Sequence, residues 1–271
     1  MAREDSPYLT IAAQLRQRIK DGEWPAGTNL PHRTDLARQF GVSRETVDRA
    51  VGVLEAEGLV WAVPRRGTIV RYGAARTRRP RGNVVKRNTG TDSPGYSFPS
   101  ASGTEVWHHH IKPTAAVEPL SDARLAQLLG VPEGTPVLRR HRVTGPVTEP
   151  PFQINDSWIH PDAAKDAPEV AAQEPGPGAW LYRLEKAGHW PISWMEFHRA
   201  RLPAKEEAAE LQIPLSVPVL EIVRVGRSGK TNKPIELTMY VIPSDRVETV
   251  QILERDESAQ EPWPEQPGHI T

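Results

Sequence analysis

A chain of 271 residues without a cysteine has neither a disulfide framework nor a thiolate metal site to hold it, and its length suits two domains better than one. Its 34 basic and 34 acidic residues cancel unevenly: residues 1–87 hold 17 Lys and Arg against 9 Asp and Glu, and the remainder 17 against 25. A cationic first third points to one part meeting phosphate, and the lack of a long apolar run or a leader predicts a cytoplasmic chain away from the membrane.

A helix is predicted first, with Tyr8, Ile11, Ala12, Leu15 and Ile19 at helical spacing and Gly22 as its stop. A loop stiffened by Pro25 and Pro31 leads to a short second helix, Thr34 to Phe40, with Leu36, Ala37 and Phe40 on one side and Gly41 at its end. Ser43 then stands as the N-cap of a third helix that stops at Gly58. Its Val47, Ala50, Val51 and Leu54 form the core stripe, while Arg44, Glu45 and Asp48 face water or nucleic acid. Two helices joined by a tight turn make a helix-turn-helix that offers the start of the second helix to the major groove. Two β-rich runs, Leu59 to Val63 and Thr68 to Arg71, flank Pro64-Arg65-Arg66-Gly67 as a hairpin with a basic tip, a wing able to follow the minor groove or backbone.

From Gly73 to about Gly103 the chain is basic and then turn-rich, with little to bury, and is expected to be a linker that orders near Tyr96 and Phe98. Beyond it strands and helices alternate. Strands are predicted at Glu105 to Lys112, Val137 to Thr144, Phe152 to Ile159, Ile192 to Leu202, Val219 to Val225 and Glu236 to Val241, the last extending toward Leu253. Helices are predicted at Asp122 to Leu129, Tyr182 to Ala187 and Ala204 to Leu211. The order implies α+β with a largely antiparallel sheet. On a strand only the outer two of His108-His109-His110 converge, and no HExxH-type spacing accompanies them, so neither a metal nor a cofactor is expected. No serine, histidine and carboxylate set is spaced for catalysis.

The segments Tyr8 to Gly22, Pro25-Ala26-Gly27-Thr28-Asn29-Leu30-Pro31, Gly41-Val42-Ser43-Arg44-Glu45-Thr46-Val47, Leu54-Glu55-Ala56-Glu57-Gly58-Leu59 and Arg66-Gly67-Thr68 resemble the GntR family of bacterial transcriptional regulators. The resemblance implies a winged helix-turn-helix over residues 1–73 that binds a duplex operator through Ser43, Arg44 and Thr46, with Glu45 beside them and Arg65, Arg66, Gly67 and Thr68 on the wing. After Pro31 the family's acidic residue and arginine are replaced by His32-Arg33-Thr34-Asp35, so either Arg33 supplies the charge or Thr34 bonds a phosphate. Asp48 stands where relatives often have arginine, and either accepts from a cytosine amino group or pairs with Arg44.

Residues 104–254 resemble the UTRA ligand-sensing domain of the HutC branch, similar in fold to chorismate lyase, on Leu125 to Leu138, Leu184-Glu185-Lys186-Ala187-Gly188-His189, Ala200-Arg201-Leu202-Pro203, Val217-Pro218-Val219-Leu220, Pro234-Ile235-Glu236 and Asp245-Arg246. That resemblance implies effector binding and dimerisation, with Arg142 on an anion and Glu236 on a polar group. Asn155 stands where relatives carry glutamate and Thr144 where they carry a second arginine, which argues against a phosphosugar. A salt bridge between Arg142 and Glu236 is the structural alternative, and Trp107, Trp158 and Trp194 line either a pocket or the core. Residues 74–103 are the linker and 255–271 a disordered polar tail. The function implied is a homodimeric repressor, released by a small molecule that remains unidentified, with conjugative-element transfer genes among the targets of similar proteins. Competing readings are an effector-independent repressor, a chorismate-lyase-like enzyme with a DNA-binding appendage, and a non-specific chromosome coat.

Overall fold

Three helices and a hairpin form the head: α1 (Pro7–Lys20), α2 (Arg33–Phe40), α3 (Arg44–Ala56), β1 (Val60–Val63) and β2 (Gly67–Val70). The computed structural model describes residues 6–63, 66–71, 77–80, 85–88, 95–98, 107–147, 149–171 and 179–250. Arg65, much of the linker and the tail at 255–271 lie outside them. Ser43 caps α3, its Oγ accepting from the Thr46 amide at 3.2 Å. Gly41, at φ 65, supplies the left-handed turn between α2 and α3 that a side chain would resist. Val47, Ala50, Val51 and Leu54 are all buried and meet Ile11, Leu15, Leu36, Val60 and Val70 in one core. Each large apolar side chain sealed there is worth about 1.5–3 kcal/mol. Arg16 grips Glu57 with two bonds, and the Arg49 guanidinium lies 4.3 Å from the Tyr8 ring centre, fastening α1 to α3.

Three short strands follow: β3 (Thr77–Pro80), β4 (Lys86–Asn88) and β5 (Gly95–Ser97). β4 and β5 pair as a hairpin, so the expected tether carries structure of its own. The body is then β6 (Trp107–Pro119), α4 (Ala123–Leu129), β7 (Pro136–Pro146), β8 (Gln153–Ile159), α5 (Pro161–Asp166), α6 (Ala179–Leu184), β9 (Ser193–Arg201), α7 (Lys205–Leu211), β10 (Val219–Arg227), β11 (Pro234–Pro243) and β12 (Val247–Val250). Six of these strands make one fully antiparallel sheet in the order β6-β7-β8-β11-β10-β9, so the fold is α+β.

Several elements differ from expectation, among them α6, which begins at Ala179 and ends at Leu184. β6 runs on through Pro113 because it is an edge strand with register shifts between His109 and Thr114, where a missing amide costs no ladder bond. α5 is too short to print a helical period in the sequence. β12 does not prolong β11: the chain turns at Ser244 to Arg246, and β12 pairs in parallel with β3.

Strand alternation gives the sheet two unlike faces. One carries Trp158, Val223, Val225 and Leu237 against α4, and Val143, Ile154, Val219 and Val241 against α7. The other is apolar at both ends, with Leu138 and Ile159 under α5 and α6, and Ile222 and Ile242 beside Phe152. Between those ends its side chains are polar.

Head and body touch. Arg71, just past β2, is buried, with Nη1 2.7 Å from Asp245 Oδ2 and 3.0 Å from the Gly58 carbonyl. Gly58 sits at φ 72, and a Cβ there would lie 3.0 Å from Val217 Cγ2 of the body. Trp61 and Ile69 of the head share a narrow crevice with Leu211 and Ile213 just past α7.

Candidate nucleic-acid interface and buried polar site

The N-terminal ends of α2 and α3 and the start of β2 open onto one groove walled by Arg33, Thr34, Arg44, Arg66, Gly67 and Thr68. Both helix ends turn free amides and the positive end of the macrodipole toward it. Arg44 keeps 69% of its side chain exposed, and Arg66 and Glu45 are exposed as well. Ser43 Oγ and Thr46 Oγ1 lie 2.9 Å apart within the cap of α3, and neither is among the residues that wall the groove. Arg33 is held by Asp48 at 2.8 Å and Glu55 at 3.8 Å, so its charge is met inside the protein, whereas Thr34 stays exposed. Asp48 therefore pairs more closely with Arg33 than with Arg44, whose Nε is 3.8 Å away. That partner lies fifteen residues upstream on α2, where helix periodicity within α3 could not point.

In the body, the polar middle of the second face collects residues from four strands. Arg142 of β7 stands opposite Asn155 of β8, which stands opposite Tyr240 of β11; Ser157 is opposite Thr238, Thr238 opposite Arg224 of β10, and Glu236 opposite Gly226. A Cβ at Gly226 would come within 2.7 Å of Glu236 Oε1, so only glycine leaves room for this carboxyl. Arg142 Nη2 donates to Ser157 Oγ at 3.1 Å, and Thr238 Oγ1 donates to Glu236 Oε2 at 3.2 Å. Asn155 Nδ2 donates to Thr144 Oγ1 at 3.2 Å. Arg142 and Glu236 are not bonded to each other among the described contacts, so the cross-sheet salt bridge is not formed.

Arg142 Nε, Arg224 Nε and Nη1, Glu236 Oε1 and Asn155 Oδ1 are buried without a hydrogen-bond partner among the described residues. Leaving such groups unmet costs about 1–3 kcal/mol each, more when charged, so a patch of them marks a binding site better than a core. Burial pushes the Glu236 carboxyl up to about 7, against the opposing pull of Arg224, Thr238, Trp194 and Arg142. Burial likewise draws Arg142 below the usual guanidinium range and Arg140 down to about 10, with Arg142 and Arg183 pushing Arg140 the same way. The cover comes from the segment before the body: the Phe98 ring centre lies 3.4 Å from the Arg224 guanidinium and 5.2 Å from the Trp194 ring, and the Tyr96 ring meets Trp194 at a tilt with centres 5.1 Å apart. Tyr96 OH donates in turn to Glu185.

The model of the family described as bacterial regulatory proteins, gntR family, matches residues 7–70, and the model of the UTRA domain matches residues 114–248. An uncharacterized HTH-type transcriptional regulator of Streptomyces coelicolor is 30% identical over 233 residues, 84% of this chain and 86% of its own. The chain belongs to the GntR family of bacterial transcriptional regulators. Another similar GntR-type protein is the HTH-type transcriptional regulator GgaR of Escherichia coli strain K12, 26% identical over 251 residues and 90% of each chain. The crystal structure of a GntR-family transcriptional regulator superposes with a TM-score of 0.53 at 27% identity, covering 93% of this chain and 99% of that one. A GntR head joined to a UTRA body is the architecture of the HutC branch, and the chain is a DNA-binding transcriptional regulator, not an enzyme. No described helix is long and apolar enough to cross a membrane.

Within this GntR regulator, Arg142, Asn155 and Glu236 reach one face of the sheet although 94 residues separate the first from the last. Trp194 joins them beside Glu236, whereas Trp158 packs in the opposite core and Trp107 packs on Phe152. Arg224 was missed. Its signal was present, an arginine inside the otherwise apolar run Ile222-Val223-Arg224-Val225, but one strand cannot say which face will be closed over. Arg65 lies outside the described residues.

Proposed function

We propose that this regulator is a homodimeric repressor that occupies a near-palindromic operator and is released when a small molecule fills the buried polar site of the body. The observation that carries the proposal is the pairing of two unlike polar sites on one chain. The head's arginine-lined groove is open, and the body's arginines are enclosed with their bonding capacity unmet. By this reading Ser43, Arg44, Glu45 and Thr46 of α3 enter the major groove, with Thr34 on a phosphate and Arg65, Arg66, Gly67 and Thr68 of the wing along the backbone or minor groove. Arg142, Asn155 and Glu236, joined by Arg224, hold the effector.

Two features favour coupling between the sites. Tyr96 and Phe98 cover the body's site from the segment that joins it to the head, and Arg71 binds the end of the wing to Asp245. A ligand that lifts Phe98 off Arg224 acts on the tether of the head. Release requires the effector to prefer the arrangement that DNA does not, since equal affinity shifts nothing. A second copy is favoured by the outer edge of β6, which no described strand pairs, thirteen residues long with Ile111 and Val117 exposed on it, because self-pairing of a two-fold edge gives the symmetry of a palindromic site. The site of action is the cytoplasm.

The test is selection of bound sequences from random duplexes with the full-length protein, followed by challenge of the complex with small molecules. A selected inverted repeat, bound at two chains per duplex and released by a metabolite, is the expected result. Release by nothing leaves a constitutive repressor, and recovery of no preferred sequence removes the operator altogether.

A further inference from the structure

We infer that Asp48 determines operator specificity without touching the duplex: from behind the groove it orients the Arg44 fork toward a base, and its charge lowers the head's affinity for DNA of any sequence. The inference rests on the reading above that Arg44 enters the major groove. Arg33 and Arg44 both wall the groove, and Asp48 stands between them without being part of that wall. One carboxylate oxygen, Oδ1, is fixed from α2 by Arg33 Nη1 at 2.8 Å. The other, Oδ2, lies 3.8 Å from the Nε of Arg44, one turn earlier on α3.

The edge of Arg44 that faces the carboxylate decides what the arginine offers. A guanidinium drawn in at Nε keeps its two terminal nitrogens free and side by side, the pair that bonds O6 and N7 of a guanine. With 69% of its side chain exposed, Arg44 has rotamer freedom to lose when a base orders it, and a carboxylate that already narrows its rotamers lessens that loss. Arg33 is placed differently, because its second terminal nitrogen lies 3.8 Å from Glu55 and both ends of its fork face acids of α3. Helix stability does not account for the Arg44 pair, since an arginine four residues before an acid is the weaker order on an α-helix. Asp48 keeps 38% of its side chain exposed, so its negative charge is felt by the phosphates of every duplex that enters the groove. Orientation and repulsion thus pull in opposite directions, and that opposition is the signature to look for.

The test titrates full-length protein against the selected operator, duplexes with one base pair changed at each half-site position in turn, and a scrambled duplex. Affinities are taken per active chain from stoichiometric titration, which separates lost recognition from misfolding. Arg44→Ala first marks the position that Arg44 reads, the one whose change no longer weakens binding. At that position Asp48→Asn, which can keep its oxygen on Arg33 while turning an amide N–H toward Arg44, is expected to cut discrimination at least about threefold. The same variant is expected to bind the scrambled duplex more tightly than the parent does. In the Arg44→Ala background Asp48→Asn is expected to change discrimination no further. An equal fall in affinity for all duplexes would make Asp48 a clamp on α2, and a further loss of discrimination in the double variant would make it a reader of bases itself. Either result overturns the inference, as does unchanged discrimination or a scrambled duplex bound no more tightly. If Arg44→Ala marks no position, the contact reading fails and takes the inference with it; a marked position to which Asp48→Asn is indifferent sinks the orienting role alone.

Discussion

The head and the body both depend on arginines, and they treat them in opposite ways. Arg44 and Arg66 stand in water at the rim of an open groove, where their charge is solvated until a phosphate or base replaces the water. Arg142 and Arg224 are enclosed among strands and rings, with N–H groups that no described residue meets. The first arrangement costs the fold almost nothing. The second is stability given up in advance for a site that is already oriented when its ligand arrives. Mutation should therefore separate function from stability in opposite senses in the two regions.

The largest effect is expected at Arg44. Arg44→Ala should lower affinity for the selected operator by about 1–3 kcal/mol of lost base discrimination while its unfolding free energy stays within about 0.5 kcal/mol of the parent. Arg66→Ala should instead weaken every duplex and lower the salt slope by about one. Titrations with selected and scrambled duplexes at several salt concentrations measure both, and unchanged operator affinity in both variants would break the contact assignment.

Arg71 belongs to neither class, because it is buried and paired across the junction of head and body. Arg71→Met should cost about 1–3 kcal/mol in urea unfolding, toward the lower end because Asp245 keeps 31% of its side chain exposed and is left partly solvated. Combining it with Asp245→Asn should cost less than the sum of the two single changes. Additive costs would mean that the pair does not bind the head to the body.

Arg224→Met should have the opposite sign, a gain of about 1–2 kcal/mol with loss of ligand response, since an apolar chain of similar length removes unmet charge. A destabilised Arg224→Met would mean that this arginine is structural. It would make the two regions alike.

The smallest effect is on pH dependence. The folded Glu236 carboxyl, raised from 4.5 to about 7, keeps a proton that the unfolded chain has released, so stability falls as pH rises from 4.5 to about 7 and levels off above. His141 adds a slope of the same sign. It is held by Asp156 at 2.9 Å and Glu210 at 3.2 Å, its pKa is raised above 6.5 chiefly by the bond to Asp156, and its contribution is full below 6.5 and lost as pH passes its folded value. Glu236→Gln should flatten the lower part of the curve and leave the upper part, as urea unfolding across that range would reveal. An unchanged lower slope would mean that this carboxyl is ionised in the fold.

The head was legible because its signals are local. Ser43 sits three residues before the amide it caps, Gly41 marks the left-handed turn, and the α3 stripe repeats within two turns, so caps, period and core face could be taken from neighbouring letters. The body's α4, α6 and α7 and most of its strands were legible for the same reason, whereas α5 was not. Its edges were not: Pro113 hid the second half of β6, and the partner of β12 turned out to be the linker strand β3, about 170 residues away.

What the amino-acid order determined by itself was therefore the elements of the head and most of those of the body, the basic head, and the residue types fit for phosphate and for an anion. The tertiary structure alone decided that Arg142, Asn155, Arg224 and Glu236 share one enclosed face, that Gly226 makes room for the carboxyl, that Phe98 roofs the arginine, and that Asp48 neutralises Arg33. The reason is one of range. A helix period is written within a few residues, whereas the face a strand residue occupies is known only once its partners and register are set by chain far away, and those pairings are what bring the charges together.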